Sequence, residues 1–327
     1  MPRKVTTVAV ENVDIQSEWR KLLRRKQVAG HESDRALHVL RVAEVQDRIL
    51  ACLNVRDICS FGQTHRTLRG APARHLDHSF NVLLNKLFDE VEQFRDVMRR
   101  LHAVISGSTA LSFISRDPWE AGDIDLYCPL GTADVICKYL CAAEGYDEAE
   151  TVWDSPYSQV QGIEKVFKVR KFDPRHGTRS IDVIESINTM AVHPITHFHI
   201  TAVMNYLFAD GIVVLYPELT FKRIAVKSAK PNTRHPPYSK YKDRNYTICN
   251  MGRDGLICRT ACELLQRTPQ DAASLALRFR SSDTPMPTLG YWTLSQDRPL
   301  PESITPLEAP ECYNYLCNKR KFIPVRP

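Results

Sequence analysis

Hydrophobic positions recur at a helical spacing through the N-terminal third of the chain. They predict a helix over residues 42–53 and, after a break at residues 54–56, a second helix that Asp57 is expected to cap. A longer apolar stripe over residues 80–101, with charged side chains between its members, predicts one amphipathic helix that packs on a core. Residues 1–36 are polar without such a period, so we expect an irregular segment there.

Beyond residue 102 the apolar runs become short, which is typical of strands. The runs that predict strands are residues 103–105, 123–127, 166–170, 180–184 and 212–216. Helical patterns lie between them, at residues 110–114, about 133–143 after a capping Thr132, and about 196–208. Turn-forming residues 173–177 predict a hairpin between the third and fourth strands. The pattern as a whole indicates an α+β fold, with a small mixed sheet and flanking helices.

Three acidic residues alternate with apolar ones on two of these strands. Side chains two positions apart on a strand share a face, so Asp123 and Asp125 are expected to project together. Asp182 stands in a second alternation of the same kind. Side-by-side carboxylates repel each other unless a cation lies between them, and hard oxygen ligands favour Mg²⁺ or Mn²⁺. If the two strands are neighbours, the three carboxylates can hold two metal ions about 3.5–4 Å apart. The alternative is a strand edge whose acids face water.

The turn Ser106-Gly107-Ser108 supplies a complementary feature. Glycine allows close approach of the backbone to a phosphate, and the helix that begins there directs unpaired N–H groups at it. Gly107 and Ser108 are therefore the predicted phosphate-binding residues.

The order of strand, Gly-Ser turn, helix, Asp-x-Asp strand and later Asp strand resembles the nucleotidyltransferase superfamily, which has the polymerase-beta-like fold. The resemblance spans about residues 103–186, and residues 198–206 are similar to fungal proteins that carry this domain. It implies an NTP substrate held by Gly107 and Ser108, Mg²⁺ or Mn²⁺ ligated by Asp123, Asp125 and Asp182, and transfer of an NMP to a hydroxyl acceptor. The 14 residues between Ser108 and Asp123 are slightly more than the family usually has, so residues 116–122 are expected to be an insertion.

An earlier stretch, residues 44–58 followed by residues 63–69, resembles an F-box, although Arg41-Val42 replace the usual Leu-Pro start. This resemblance implies binding to the F-box-binding adaptor subunit of a cullin ubiquitin ligase. The alternative is a plain helical hairpin. An adaptor function with a catalytically inactive transferase-like domain that binds a target is thus the rival of the enzymatic interpretation.

Charge is concentrated in one segment. The net charge of the chain is +6, whereas residues 222–246 contain eight basic residues and one acid. Tyrosines alternate there with Lys240, Lys242 and Arg244, a pattern that suits nucleotide phosphates or an RNA acceptor if the segment folds towards the acids. A solvated loop is the alternative.

The sequence predicts four regions: an irregular segment (1–36), an F-box-like module (37–76), a nucleotidyltransferase-like domain (77–230) and a basic, helical and proline-rich C-terminal region (231–327). With 43% apolar and 25% charged residues, the 327-residue chain has globular composition. It has no run of about 20 apolar residues that would span a bilayer and no secretory signal pattern, so we expect an intracellular protein of the cytoplasm or nucleus that does not contact a membrane.

The ten cysteines are expected to be reduced and mostly buried. Two groups have potential zinc ligands, and ordinary burial is the preferred interpretation of both because neither spacing matches a common zinc motif. The groups are His193, His197 and His199, and Cys249, Cys258, Cys262, Cys312 and Cys317.

Overall fold

A computed structural model describes most of the central part of the chain. The described residues are 37–117, 119, 121–147, 149–152, 162–173, 177–228, 237–250 and 274–287. The chain divides into two compact units, Met1–Ala51 and Cys52–Pro327, and each is described by itself. The division falls inside the segment 37–76, for which the sequence predicts one helical module.

The described part of the first unit contains helix α1 (Ala43–Ala51). Leu50 is buried, and the Gln46 side chain donates a hydrogen bond to the Leu40 carbonyl oxygen at 2.8 Å. Val39 and Val42, in contrast, are exposed. The helix therefore leaves apolar side chains at its N-terminal end in contact with solvent.

The second unit begins with helix α2 (Val55–Gln63), and Asn54 is its N-cap. The Asn54 side-chain oxygen accepts a hydrogen bond from the Asp57 N–H at 3.0 Å. Capping by Asp57, as predicted, is wrong: Asp57 lies within the first turn, where its carboxylate accepts from Asn54 Nδ2 at 2.7 Å. The extended residue before the first turn is the one whose side chain can reach the unpaired N–H groups.

The single helix predicted over residues 80–101 is two helices, α3 (Ala71–Asn85) and α4 (Val91–Arg100). Both bury the expected apolar stripe, but the chain leaves helical geometry between them. There the Glu144 carboxylate accepts the Asp89 N–H at 2.6 Å, and Phe88 stacks on Phe94 with ring centroids 3.6 Å apart. These tertiary contacts satisfy the backbone at the break, which a periodic pattern does not reveal.

Eight strands form one sheet in the order β10-β7-β6-β1-β2-β5-β4-β3. Among the described strands of this sheet, only the β2–β5 pair is parallel. The strands are β1 (Val104–Ser106), β2 (Ile124–Cys128), β3 (Glu150–Thr151), β4 (Ile163–Asp173), β5 (Gly177–Ser186), β6 (Asn205–Phe208), β7 (Gly211–Val214) and β10 (Leu275–Arg278). A separate parallel pair consists of β8 (Ile224–Val226) and β9 (Thr247–Cys249). The α+β class is confirmed, and the sheet is larger than the five strands that the pattern predicts.

Four further helices connect these strands: α5 (Gly107–Ser115), α6 (Ala133–Glu144), α7 (Pro217–Thr220) and α8 (Tyr238–Lys242). Helix α5 follows β1 directly and contacts β1, β2 and β6, whereas α6 packs on β4 and β5. The hairpin predicted around residues 173–177 is confirmed by the antiparallel pairing of β4 with β5.

The helix predicted over about residues 196–208 is wrong. Short 3₁₀ turns at Pro194–His197 and Thr201–Val203 lead into β6, which lies in the sheet between β7 and β1. Every residue from 200 to 208 is buried, so the segment has no polar face of the kind an amphipathic helix presents. A fully buried run of this type is equally compatible with an inner strand, and sheet pairing decides between the two.

Within the described ranges, no helix combines the length and the apolar character needed to cross a membrane.

Candidate functional site

Four neighbouring strands place polar side chains in one row across the sheet. Ser106 on β1 pairs with Asp125 on β2, Asp125 pairs with Asp182 on β5, and Asp182 pairs with Lys168 on β4. Residues in register on adjacent strands share a face, with strands about 4.8 Å apart. Ser106, Asp125, Asp182 and Lys168 therefore form one continuous line, called here the polar row.

An apolar row lies two residues away on the same face of the same strands. It consists of Val104, Tyr127, Ile184 and Val166, all paired in register and all part of the buried core. The polar row is thus at the border of the core. Asp125 and Asp182 are only 9% and 5% exposed.

The Gly-Ser turn lies directly against this row. Gly107 has a positive φ of 64°, and a Cβ atom at this position would run into a carboxylate oxygen of Asp125. Only glycine satisfies both conditions. Ser108 is buried at the start of α5, and the N-cap residue Ser106 makes no side-chain cap bond to the helix. The turn and Asp125 are therefore one structural unit.

Asp123 immediately precedes β2 and is half-buried. Its backbone carbonyl oxygen accepts a hydrogen bond from Thr109 Oγ1 at 3.1 Å, which ties the entry of β2 to the first turn of α5. Asp123 also acts electrostatically on Asp182, because its negative charge contributes to raising the pKa of that carboxyl group. The structure thus brings all five predicted site residues into one region: Gly107, Ser108, Asp123, Asp125 and Asp182.

Burial and two neighbouring charges act on the Asp182 carboxyl group. Burial is the main cause that raises its pKa; the Lys168 ammonium opposes this rise, and the Asp123 carboxylate adds to it. Lys168 Nζ lies 3.0 Å from Asp182 Oδ1, yet this buried oxygen receives no well-aligned hydrogen bond from the described residues. The Lys168 ammonium is therefore the cation that partners this buried oxygen.

The donor set consists of carboxylate oxygens, which suit Mg²⁺ or Mn²⁺. However, the part of the chain that the structure describes contains no group of three or more His, Cys, Asp or Glu side chains gathered in a metal-binding arrangement. Two of the acids, Asp125 and Asp182, are side by side, and Lys168 flanks the second. Asp123 and Asp125 supply carboxylate oxygens of the kind that bind such a cation, and Asp182 is partly neutralised by the protein itself.

The basic segment folds against the Gly-Ser turn. Arg244 Nη1 donates to Ser108 Oγ at 3.3 Å, although the two residues are 136 positions apart. Lys240, on α8, acts electrostatically on the same acids: burial, followed by the charge of Arg244, lowers its pKa, whereas Asp123 and Asp125 oppose this shift. The segment was expected to bind phosphates if it folds towards the acids. Lys240 and Arg244 meet this condition.

The sequence did not single out Trp119 or Lys168. The Arg244 guanidinium lies 3.6 Å from the centroid of the Trp119 ring, and Arg223 forms a two-bond ion pair with Asp117 at 2.5 and 2.6 Å. The predicted insertion, residues 116–122, is thereby attached to the basic segment. The alternation of residues along β4 could have pointed to Lys168. The side chain with which Lys168 pairs, however, depended on strand register.

The histidines next to this region show no zinc site within the described ranges. The His193 and His197 rings are 4.9 Å apart, and His199 packs against Tyr238 and Tyr241. Burial lowers the pKa of His193 and of His199 to about 4. They are neutral, buried side chains near neutral pH.

The six cysteines in the described residues form no disulfide, in agreement with the expectation of reduced cysteines, but only Cys128 and Cys137 among them are buried, so the expectation of mostly buried cysteines is wrong for these six. Four of the five cysteines considered as zinc ligands lie outside the described residues, namely Cys258, Cys262, Cys312 and Cys317.

Comparisons with models of protein families, with curated proteins and with solved structures found no match to this chain.

Proposed function

We propose that the chain is a nucleotidyltransferase with a polymerase-beta-like domain, which transfers an NMP from an NTP to a hydroxyl acceptor with Mg²⁺ or Mn²⁺. One observation carries the proposal: Asp125 pairs in register with Asp182, and the backbone of Gly107 lies against the Asp125 carboxylate. A phosphate-binding turn next to paired carboxylates is the arrangement that nucleotidyl transfer requires.

Asp123, Asp125 and Asp182 would hold the metal. A bound divalent cation neutralises charge on the transferred phosphoryl group and lowers the pKa of an attacking hydroxyl. Asp125 lies on β2 and Asp123 immediately precedes that strand, two residues earlier, so they are the principal ligands in this proposal. Asp182, whose pKa is raised by burial, is suited to interact with the acceptor hydroxyl proton.

The triphosphate would lie at the start of α5. There the Ser108 hydroxyl, beside the first N–H groups of the helix, accepts a hydrogen bond from Arg244, and Lys240 acts electrostatically on the nearby Asp123 and Asp125. In the reaction, the acceptor oxygen forms a bond to the α-phosphorus, the bond from that phosphorus to the β-phosphate oxygen breaks, and pyrophosphate leaves. The acceptor is proposed to be RNA or another hydroxyl compound.

The test is incubation of the purified chain with labelled NTPs, Mg²⁺ or Mn²⁺, and RNA oligonucleotides. We expect label transfer by the wild-type chain and none by the double variant Asp123→Ala/Asp125→Ala. Asp134→Ala is the matched control, because it removes an exposed acid from the first turn of α6. Equal transfer by the wild type and the double variant would reject the proposal.

A second candidate function is that of an F-box-type adaptor whose transferase-like domain is inactive and binds a target. The ion pair between Lys168 and Asp182 favours it, because an ammonium occupies the place where an active site of this type would need a cation. Exposed Val39 and Val42 provide apolar contacts for a partner at the start of the proposed F-box.

The adaptor function is tested by binding of the purified F-box-binding subunit of a cullin ligase. We expect Val42→Glu to abolish binding and Val135→Glu to retain it, since both residues are exposed but Val135 lies on α6, outside segment 37–76. No binding by the wild-type chain would remove this candidate. Either function places the protein in the cytoplasm or the nucleus.

A further inference from the structure

We propose that Lys168 is a built-in counter-ion of Asp182, so that the nucleotide-free acid cluster takes up one divalent cation rather than two. This inference rests on the proposed function. It assigns to a residue of the chain the position that a second metal ion would otherwise occupy.

The register of the strands determines where Lys168 lies. Asp182 on β5 has Asp125 on one side and Lys168 on the other, each one strand spacing away. Lys168 therefore approaches Asp182 from the side opposite to Asp125. Its ammonium covers the side of Asp182 that faces away from Asp125, whose carboxylate lies against the Gly107 turn.

The surroundings keep Lys168 in this position. Its side chain is 26% exposed and that of Asp182 is 7% exposed, so the ion pair is largely removed from water. The nearest other cation on the same face, Arg170, pairs with Glu150 at 3.5 Å. Glu150 is in register with Lys168 on β3 but is itself exposed, which leaves the buried Asp182 as the stronger partner.

The charges of the cluster agree with one cation. Three carboxylates and the two ammonium groups of Lys168 and Lys240 have a net charge of −1, so a single divalent ion at Asp123 and Asp125 already offsets it. A second divalent ion at Asp182 would lie beside the Lys168 ammonium and be repelled by it. An uncharged residue at position 168 would remove this repulsion and leave Asp182 available.

The experiment measures Mn²⁺ binding to the nucleotide-free full-length chain by titration calorimetry and by electron paramagnetic resonance of free Mn²⁺. We expect one bound ion in the wild type. Lys168→Met is expected to bind Mn²⁺ more tightly than the wild type, with a dissociation constant lower by roughly tenfold, since one adjacent positive charge has been removed. Lys168→Arg keeps the charge and is expected to behave as the wild type.

Lys165→Met is the matched control, because it removes the same charge from the same strand but on the opposite face, at an exposed position. Two ions in the wild type, or equal affinity in the wild type and Lys168→Met, would overturn the inference. If Lys168→Met folds poorly, the rise in melting temperature on adding Mn²⁺ gives the second readout, and it is expected to be larger in this variant than in the wild type.

The two proposals fail in different ways. If Mn²⁺ binds to none of the variants, or binds to Asp123→Ala/Asp125→Ala as well as to the wild type, the metal-dependent transferase proposal fails. If Mn²⁺ binding depends on Asp123 and Asp125 but is unaffected by Lys168→Met, only the role of Lys168 fails.

Discussion

The polar row and the apolar row occupy the same four strands, the same face and nearly the same depth, yet they differ in chemistry. Tyr127 and Ile184 are fully buried, and Asp125 and Asp182, two residues further along the same strands, are at most 9% exposed. A displacement of two residues along a strand, about 6.7 Å, separates a core from a cluster of acids.

This difference shows which row serves folding. Burying apolar side chains contributes favourably to the free energy of folding, whereas burying carboxylates opposes it unless they are paired. The polar row is only partly paired, since Lys168 reaches Asp182 without an aligned hydrogen bond. Groups that are costly to bury and whose pKa is shifted mark candidate functional sites. The predictions below exchange or perturb properties of the two rows.

The largest effect is expected when the chemistry of the polar row is placed in the apolar row. Ile184→Asp buries a carboxylate without a counter-ion, and we expect it to destabilise the fold by more than about 4 kcal/mol. Loss of the urea unfolding transition followed by circular dichroism would show this. Ile187→Asp, at an exposed site just after β5, is the control and should unfold like the wild type. A normal transition for Ile184→Asp would contradict the assignment of this row to the core.

A substitution in the polar row, in contrast, should lower activity rather than stability. Asp125→Asn keeps the shape of the side chain and removes its charge, so we expect nucleotidyl transfer to fall by about a thousandfold. The free energy of unfolding should change by less than about 1 kcal/mol. Kinetics of transfer and urea unfolding of the same preparation test both parts, with Asp134→Asn as the control. Unchanged transfer would mean that the row has no catalytic function.

Gly107→Ala tests the link between the turn and the polar row. The positive φ and the approach of the Asp125 carboxylate both oppose a Cβ atom, so we expect destabilisation of about 1–3 kcal/mol and transfer reduced by about a hundredfold. Gly122→Ala is the matched control, since no atom lies within 4 Å of a Cβ built there. If both variants have the same stability and rate, the turn is not held against Asp125.

Arg244→Lys tests the contact of the basic segment with the turn. Lysine keeps the charge but loses the planar stacking on Trp119, so we expect the KM for NTP to rise about tenfold with a smaller change in kcat. Lys242→Ala, at the exposed end of α8, should leave the KM for NTP nearly unchanged. A larger effect of Lys242→Ala than of Arg244→Lys would exclude a specific role for Arg244.

The smallest effect is expected for Tyr127→Phe in the apolar row. The Tyr127 hydroxyl is buried and has no hydrogen-bond partner among the described residues, so its removal should change the free energy of unfolding by less than about 1 kcal/mol, or increase it. Tyr206→Phe provides the contrast, because the Tyr206 hydroxyl donates to the Pro287 carbonyl oxygen at 2.8 Å; we expect a loss of about 1 kcal/mol. A larger loss for Tyr127→Phe would indicate an unrecognised partner of its hydroxyl.

Local patterns predicted the strands of the site well. The alternation around Asp125 and Asp182, and the hairpin that contains Asp182, appear in the structure within a few residues of the predicted bounds. Predictions failed where tertiary contacts decide the outcome. The helix expected at about residues 196–208 is an inner strand, and the helix expected at residues 80–101 is interrupted where Glu144 binds the backbone. The segment 196–208 was apolar enough for a helix or a strand, whereas the break within residues 80–101 has no signal in the local pattern.

The sequence by itself determined which side chains share a face, because a strand alternates with a period of two, and it determined that the turn before α5 can adopt a positive φ, because Gly107 lacks a Cβ atom. Tertiary structure alone decided which strands are neighbours. The pairing of Asp125 with Asp182, the approach of Lys168 and the contact of Arg244 with Ser108 join residues far apart along the chain. Register and docking depend on the combined packing of the whole core, and no local pattern contains that information.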